Sequence, residues 1–185
     1  MTVLEFLAAP FVASLILTGI HAYLGVHVVE RGVIFVDLSL AQIAALGATI
    51  AILLPMTGGD PHAPVVYWIS LGFTFIGAAI FAMLRVKRSR IPQEAIIGIT
   101  YAISSAAAIL AMSKATSESE HLKDMLVGNI LAVSWHEVIK TAMLYGAIGL
   151  FHYIFRKQFL AISLSHNDPE STGLNYRLWD FLFYA

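Results

Sequence analysis

The residues most able to do chemistry in this sequence are a carboxylate and a carboxamide within one apolar stretch, Asp37 and Gln42. The stretch runs from position 34 to position 54, which is long enough to cross a bilayer. A charged side chain at the centre of a membrane helix costs about 2.5–3.5 kcal/mol on insertion scales, so it usually serves a function. Asp37 is therefore a candidate for an ion pathway. The alternative is a position near the cytoplasmic interface, where the carboxylate is solvated or caps a helix end.

Small side chains follow Asp37 at helical spacing. The positions four, seven, eight and eleven residues further on are Ala41, Ala44, Ala45 and Ala48. Side chains of this size let a second helix approach closely. We therefore expect this helix to pack inside a bundle, with its polar groups turned away from lipid.

The composition is that of an integral membrane protein. Of the 185 residues, 58% are hydrophobic and 12% are charged, whereas a soluble domain is about 25% charged. The sequence has no cysteine, which excludes disulfides, thiolate metal sites and cysteine redox chemistry. The net charge of −1, without a large basic cluster, gives no support for nucleic-acid binding. The N-terminus lacks a basic region, so we expect a first membrane helix rather than a cleaved signal peptide.

Hydropathy predicts an all-α polytopic membrane protein, a bundle of about five transmembrane helices plus the start of a sixth. The predicted spans are 3–29, 33–54, 65–84, 94–112 and 138–155. A further apolar helix begins at Leu178 and stops at Ala185, too soon to span, so we expect the chain to be truncated at its C-terminus. Residues 126–133 are apolar but short, which predicts a re-entrant or interfacial piece.

The distribution of lysine and arginine predicts the orientation in the cell membrane. With the N-terminus outside, the inner segments hold eight of these residues: Arg31, Arg85, Lys87, Arg88, Arg90, Arg156, Lys157 and Arg177. The outer segments then hold three: Lys114, Lys123 and Lys140. The positive-inside rule therefore predicts an extracytoplasmic N-terminus.

Three segments carry a resemblance to a known family. Residues 31–47 combine an arginine turn with a helix that contains polar residues and a glycine, and residues 93–99 form a charged entry to a membrane helix. Residues 126–134, with the sequence LVGNILAVS, are the most specific of the three. Together they resemble the permease subunits of metal-ion ABC importers, the zinc, manganese and iron chelate-uptake class. The resemblance extends in order from Thr18 to Leu182.

The resemblance implies a single, incomplete transmembrane permease domain over residues 1–185 and alternating access driven by separate ATPase subunits. Its implied partners are a second copy in a homodimer, cytoplasmic ATP-binding subunits, an extracytoplasmic metal-binding protein and membrane lipid, with no nucleic acid. The transported divalent metal, zinc or manganese, is the substrate, and no cofactor is bound by this chain. The sequence has no Walker-type loop, so it is predicted not to be an enzyme, and ATP is bound by a partner subunit.

The resemblance also places an ATPase-coupling segment at residues 160–174, with a docking helix at 165–173. A proline suits the first helical turn and acidic residues favour the N-terminal dipole. The coupling residues implied are Ser165, Asp168, Pro169, Glu170 and Gly173. The alternative for this segment is a solvated loop with a one-turn helix.

The sequence departs from the family in the second span. Typical members have an Asp and a His four residues apart, whereas here Gln42 takes the His position and Asp37 lies five residues before it. On an ideal helix these two side chains are about 140° apart, so they do not converge on one ion. The metal site of the family is therefore not carried over intact: the substrate differs, or the site uses Asp37 with groups elsewhere, or the ion passes with transient contacts only. Asp37 remains the expected metal ligand, Gln42 lies beside the route, and His21 of the first span is a third pathway candidate. The alternative for His21 is a hydrogen-bonded core histidine.

Two other functions compete with the importer. A secondary ion-coupled transporter would need more intramembrane ionisable groups and an internal repeat, and no convincing repeat is found. A truncated, non-transporting membrane fragment is the second alternative.

Overall fold

The structure, a computed structural model, describes residues 3–57, 60, 63–85, 91–113, 130–165 and 169–185. The α-helices in these residues are α1 Val3–Arg31, α2 Val36–Leu53, α3 Pro64–Leu84, α4 Gln93–Met112, α5 Trp135–Ile154, α6 Arg156–Leu164 and α7 Tyr176–Tyr184. Short 3-10 turns lie at Pro55–Thr57, Ile130–Ala132 and Pro169–Thr172. No strand occurs in this part of the chain.

Helices α1 to α4 are long and apolar enough to cross a membrane. Helices α5 and α6 form a fifth candidate span if they are counted as one, bent by 73° at Phe155. The prediction of an all-α polytopic membrane protein is therefore confirmed. Half of the predicted re-entrant piece, residues 126–129, lies outside the described residues.

Helix α1 ends in a glycine turn. Gly32 has a φ of 63°, and its N–H donates to the carbonyl of Val29 at 3.0 Å. The N–H of Val33 reaches back to the carbonyl of Val28 at 3.2 Å. This pair of bonds is a Schellman motif, which needs a residue that tolerates positive φ. We name this end of the bundle, where α1 and α3 finish and α2, α4 and α7 begin, the Arg31 end.

Side chains of α4 join the neighbouring helices at the Arg31 end. The Oε1 atom of Glu94 accepts the N–H of Phe35 at 2.8 Å, so a carboxylate from another helix satisfies a free donor where α2 begins. The amide of Gln93 donates to the carbonyl of Phe81 at 3.0 Å and lies 3.4 Å from the hydroxyl of Tyr184. The charged entry to the fourth span is thus a connection between α2, α3, α4 and α7.

The helices pack in two groups. Helix α2 packs against α3 and α4, and α1 packs against α5 and α6. Helix α7 contacts both α3 and α6, so it joins the groups at the Arg31 end. The largest buried apolar cluster lies there and comprises Val28, Val33, Val36, Leu40, Ile43, Ala78, Phe81, Ala82, Ile97 and Tyr184.

Close approach of α2 and α3 depends on a glycine. A Cβ added at Gly47 would lie 2.8 Å from the Cβ of Phe73, a rigid part of that side chain. The expected stripe of small residues is only partly right: Ala45 and Ala48 are buried, whereas Ala41 is exposed. The buried face of α2 is rotated away from Asp37.

A buried carboxylate fixes α7 to α1 and α3. Asp180 is fully buried, with one oxygen 2.5 Å from Nη1 of Arg31 and the other 2.8 Å from Nη1 of Arg85. The guanidinium carbon of Arg31 also lies 4.1 Å from the ring centre of Phe183. Buried charges persist only when they are paired and hydrogen-bonded. The positive-inside count treats both arginines as topological charges, whereas in the structure they are buried.

We expect Gly47→Ala to destabilise the bundle by about 1–3 kcal/mol, because the added methyl group forces α2 and α3 apart. The matched control is Gly72→Ala on α3, where an added Cβ meets nothing within 4 Å. The control should leave stability unchanged or raise it slightly through helix propensity. Unfolding of the two purified variants in detergent checks this, and equal stability would contradict the packing described.

We expect Asp180→Asn to lower the free energy of unfolding by about 3–5 kcal/mol, because two buried guanidinium groups lose their counter-charge. Glu30→Gln, at an exposed position near the end of α1, should change it by no more than about 0.5 kcal/mol. Chemical unfolding in detergent measures both. A small effect of Asp180→Asn would show that the ion cluster is not formed.

Candidate functional site

A cavity of about 550 Å³ lies between the two helix groups. Helices α1, α2, α5 and α7 contribute to its wall. Its polar lining consists of His21, Asp37, Tyr145, His152 and Tyr184. The remaining lining is apolar: Leu24, Leu144, Ala147, Ile148, Phe151, Leu182, Phe183 and Ala185. The cavity thus collects ionisable side chains from four helices, α1, α2, α5 and α7.

Asp37 lies in the first turn of α2, and its side chain is exposed. A carboxylate there interacts favourably with the positive end of the helix dipole. The residue is therefore near a helix end, as the interfacial alternative expects, and not at the middle of a span. Asp37 nevertheless lines the cavity, where its carboxylate is accessible to a cation. Its role in the pathway remains a prediction.

His21 faces the same cavity from α1. Its Nδ1 atom lies 2.7 Å from the carbonyl oxygen of Leu17. Because a carbonyl can only accept, Nδ1 carries the proton, and in the neutral ring Nε2 keeps its lone pair. Metal-binding histidines usually have their second nitrogen held in this way. The ring centre of Tyr145 lies 5.7 Å away.

Gln42 is half-buried and is absent from the described lining of the cavity. This agrees with the expectation that Gln42 and Asp37 point in different directions. Within the described residues, no three His, Asp or Glu side chains are close enough to form a metal-binding group. The arrangement offers a carboxylate and an imidazole on separate helices, which can contact a cation without enclosing it.

A buried polar cluster borders the cavity at the Arg31 end. The hydroxyl of Ser163 on α6 accepts the Nε–H of Arg31 at 2.9 Å and lies 2.9 Å from Nδ1 of His27. His152, which lines the cavity, stacks on Phe159 of α6 with ring centres 4.1 Å apart. Because of the bend after α5, helix α6 packs against α1, and Ser163 contacts both Arg31 and His27.

Sequence reasoning missed this cluster and its ionic neighbour. Asp180 lies in a helix rich in aromatic residues, and a carboxylate among these residues was the available signal. Ser163 gave no signal, because its partners, Arg31 and His27, lie more than a hundred residues earlier.

The predicted coupling segment is described only in part. Ser165 follows the end of α6, and Asp168 lies outside the described residues. Pro169–Thr172 is a single 3-10 turn that contains the exposed Glu170, and Gly173 has a φ of 67°. The described part fits the one-turn alternative rather than a longer docking helix. The coupling role of these residues remains a prediction.

Comparisons with known proteins agree on one family. The manganese transport system membrane protein MntC of Listeria innocua is 31% identical over 135 residues, which cover 67% of this chain and 45% of MntC. A probable iron transport system membrane protein of Haemophilus influenzae is 27% identical over 178 residues, 94% of this chain and 60% of the relative. This chain therefore spans less than two thirds of the length of these relatives.

A solved structure supports the fold. PsaBC from Streptococcus pneumoniae in complex with Fab matches with a TM-score of 0.65 and 24% identity, over 97% of this chain and 62% of the matched chain. The ABC 3 transport family matches residues 3–185. A match of this extent, together with the membrane-spanning helices, means that the chain is a multi-pass membrane protein and belongs to the ABC 3 transport family.

Proposed function

We propose that this chain is the membrane-spanning part of an ABC importer for a divalent transition metal, manganese or zinc. The observation that carries the proposal is the cavity of about 550 Å³ that both Asp37 and His21 line. Carboxylate and imidazole together suit manganese, iron and zinc. The relatives named for manganese and iron transport support a metal substrate.

The metal would cross the cavity by transient contacts. Asp37 supplies a negative charge at the start of α2, and His21 presents Nε2 from α1. Two ligands without an enclosing third hold a cation weakly, and transport requires that the ion can leave as well as enter. Gln42 lies beside this route. Alternating access would open the cavity to each side of the membrane in turn, with ATP hydrolysed by a separate subunit.

The partners follow from the same proposal. The permease acts as a homodimer, receives metal from an extracytoplasmic binding protein and binds ATP-binding subunits through residues 160–174. Exposure of Glu170 supports a docking surface there. The excess of basic residues in the inner segments supports an extracytoplasmic N-terminus in the cell membrane.

We expect Asp37→Asn to reduce ATP-driven uptake of manganese about tenfold or more, since a contact to a charged group is worth about 1.5–3 kcal/mol. The measurement uses the complete natural polypeptide with its ATP-binding subunits in proteoliposomes. Asp60→Asn, in the loop between α2 and α3, is the matched control and should leave uptake unchanged.

Two results would count against the proposal. Normal uptake by both Asp37→Asn and His21→Gln would remove the site assignment. Absence of ATP-driven uptake of manganese, zinc and iron by the unmodified transporter would overturn the function itself.

A further inference from the structure

Arg31 binds the chain on both sides of the docking helix that the resemblance places at 165–173. Its Nε–H donates to Ser163 at 2.9 Å, and its Nη1 donates to Asp180 at 2.5 Å. Ser163 lies in α6 just before the 3-10 turn at Pro169–Thr172, and Asp180 lies in α7 just after it. The guanidinium group of Arg31 therefore binds the chain both before and after this turn.

We propose that Arg31 is the positioning residue that couples ATPase docking to the metal cavity. This inference rests on the proposed function. A displacement of the 3-10 turn at Pro169–Thr172 acts on the neighbouring helices α6 and α7, and both helices are tied to α1 through Arg31. The displacement therefore reaches the helix that carries His21 into the cavity.

Two mechanical routes lead from Arg31 to the cavity. Along α1, His21 lies ten residues before Arg31, which is about 15 Å of rigid helix. Along α7, Asp180 lies two residues before the stretch 182–185, which forms part of the cavity wall. Arg85 binds the same carboxylate at 2.8–2.9 Å, so the motion also reaches α3.

The chemistry of arginine suits this role. A guanidinium group presents five donors in a rigid plane, so it can hold two acceptors in fixed directions, whereas a lysine ammonium is a point charge on a flexible stem. Arg31 is 1% exposed, so water does not compete for its donors. Contact with the ring of Phe183, 4.1 Å from Cζ, further restricts the plane of the group.

The test compares Ser163→Ala and Arg31→Lys in the assembled transporter, which is the complete polypeptide with its ATP-binding subunits. The transporter is reconstituted in proteoliposomes, and manganese is the transported metal. The readout is metal transported per ATP hydrolysed, together with retention of the ATP-binding subunit and thermal stability. We expect the ratio to fall about threefold for Ser163→Ala, which removes the bond from Arg31 and the contact with His27, and about tenfold for Arg31→Lys, which disturbs the bonds to both Ser163 and Asp180. ATP hydrolysis and subunit retention should persist.

The matched control is Ser14→Ala, whose hydroxyl bonds only the carbonyl of Pro10 within α1 in the described structure. It should leave the ratio unchanged. A purely structural role for Arg31 would lower thermal stability in both test variants without changing the ratio, and that result would overturn the inference. Ser163→Ala decides the question if Arg31→Lys does not fold, since it buries no new charge. An unmodified transporter without ATP-driven uptake would instead overturn the proposed function.

Discussion

A carboxylate buried between two arginines fixes the relative position of the helices in this protein. Moving a charged group out of water costs several kcal/mol, and the cost is offset only by close pairing and hydrogen bonds. Asp180 meets this condition with Arg31 and Arg85, which come from the ends of α1 and α3. Because α1 and α3 belong to different helix groups, this ionic cluster determines how the groups meet.

The cavity follows from that arrangement. The two groups are held together at the Arg31 end by α7 and by the largest apolar cluster, and the space between them is lined by α1, α2, α5 and α7. Asp37 and His21 face this space, whereas Arg31, Arg85 and Asp180 are paired with each other. A membrane protein can leave a carboxylate accessible only where protein or a water-filled cavity surrounds it. The charged and polar side chains therefore form two sets: Arg31, Arg85 and Asp180 stabilise the fold, and Asp37 and His21 remain accessible from the cavity.

Sequence predicted what is encoded locally. The helical spans follow from hydropathy, and the turn at Gly32 follows from one residue that tolerates positive φ. The sequence indicates Asp37 and His21 as pathway candidates, and in the structure both line one cavity. The partners of Asp180 could not be predicted, because they lie 149 and 95 residues away and no local pattern links them. The docking helix was inferred from resemblance, and its described part is only one turn.

The arrangement of the helices depends on direct contact between Arg31 of α1 and Asp180 of α7. A double-mutant cycle with Arg31→Met, Asp180→Leu and the combined variant, measured by chemical unfolding in detergent, tests it. Direct pairing of the two side chains predicts strongly non-additive changes, with an interaction free energy of at least about 1.5 kcal/mol. Additivity within about 0.5 kcal/mol would mean that the two residues are independent and would contradict the account.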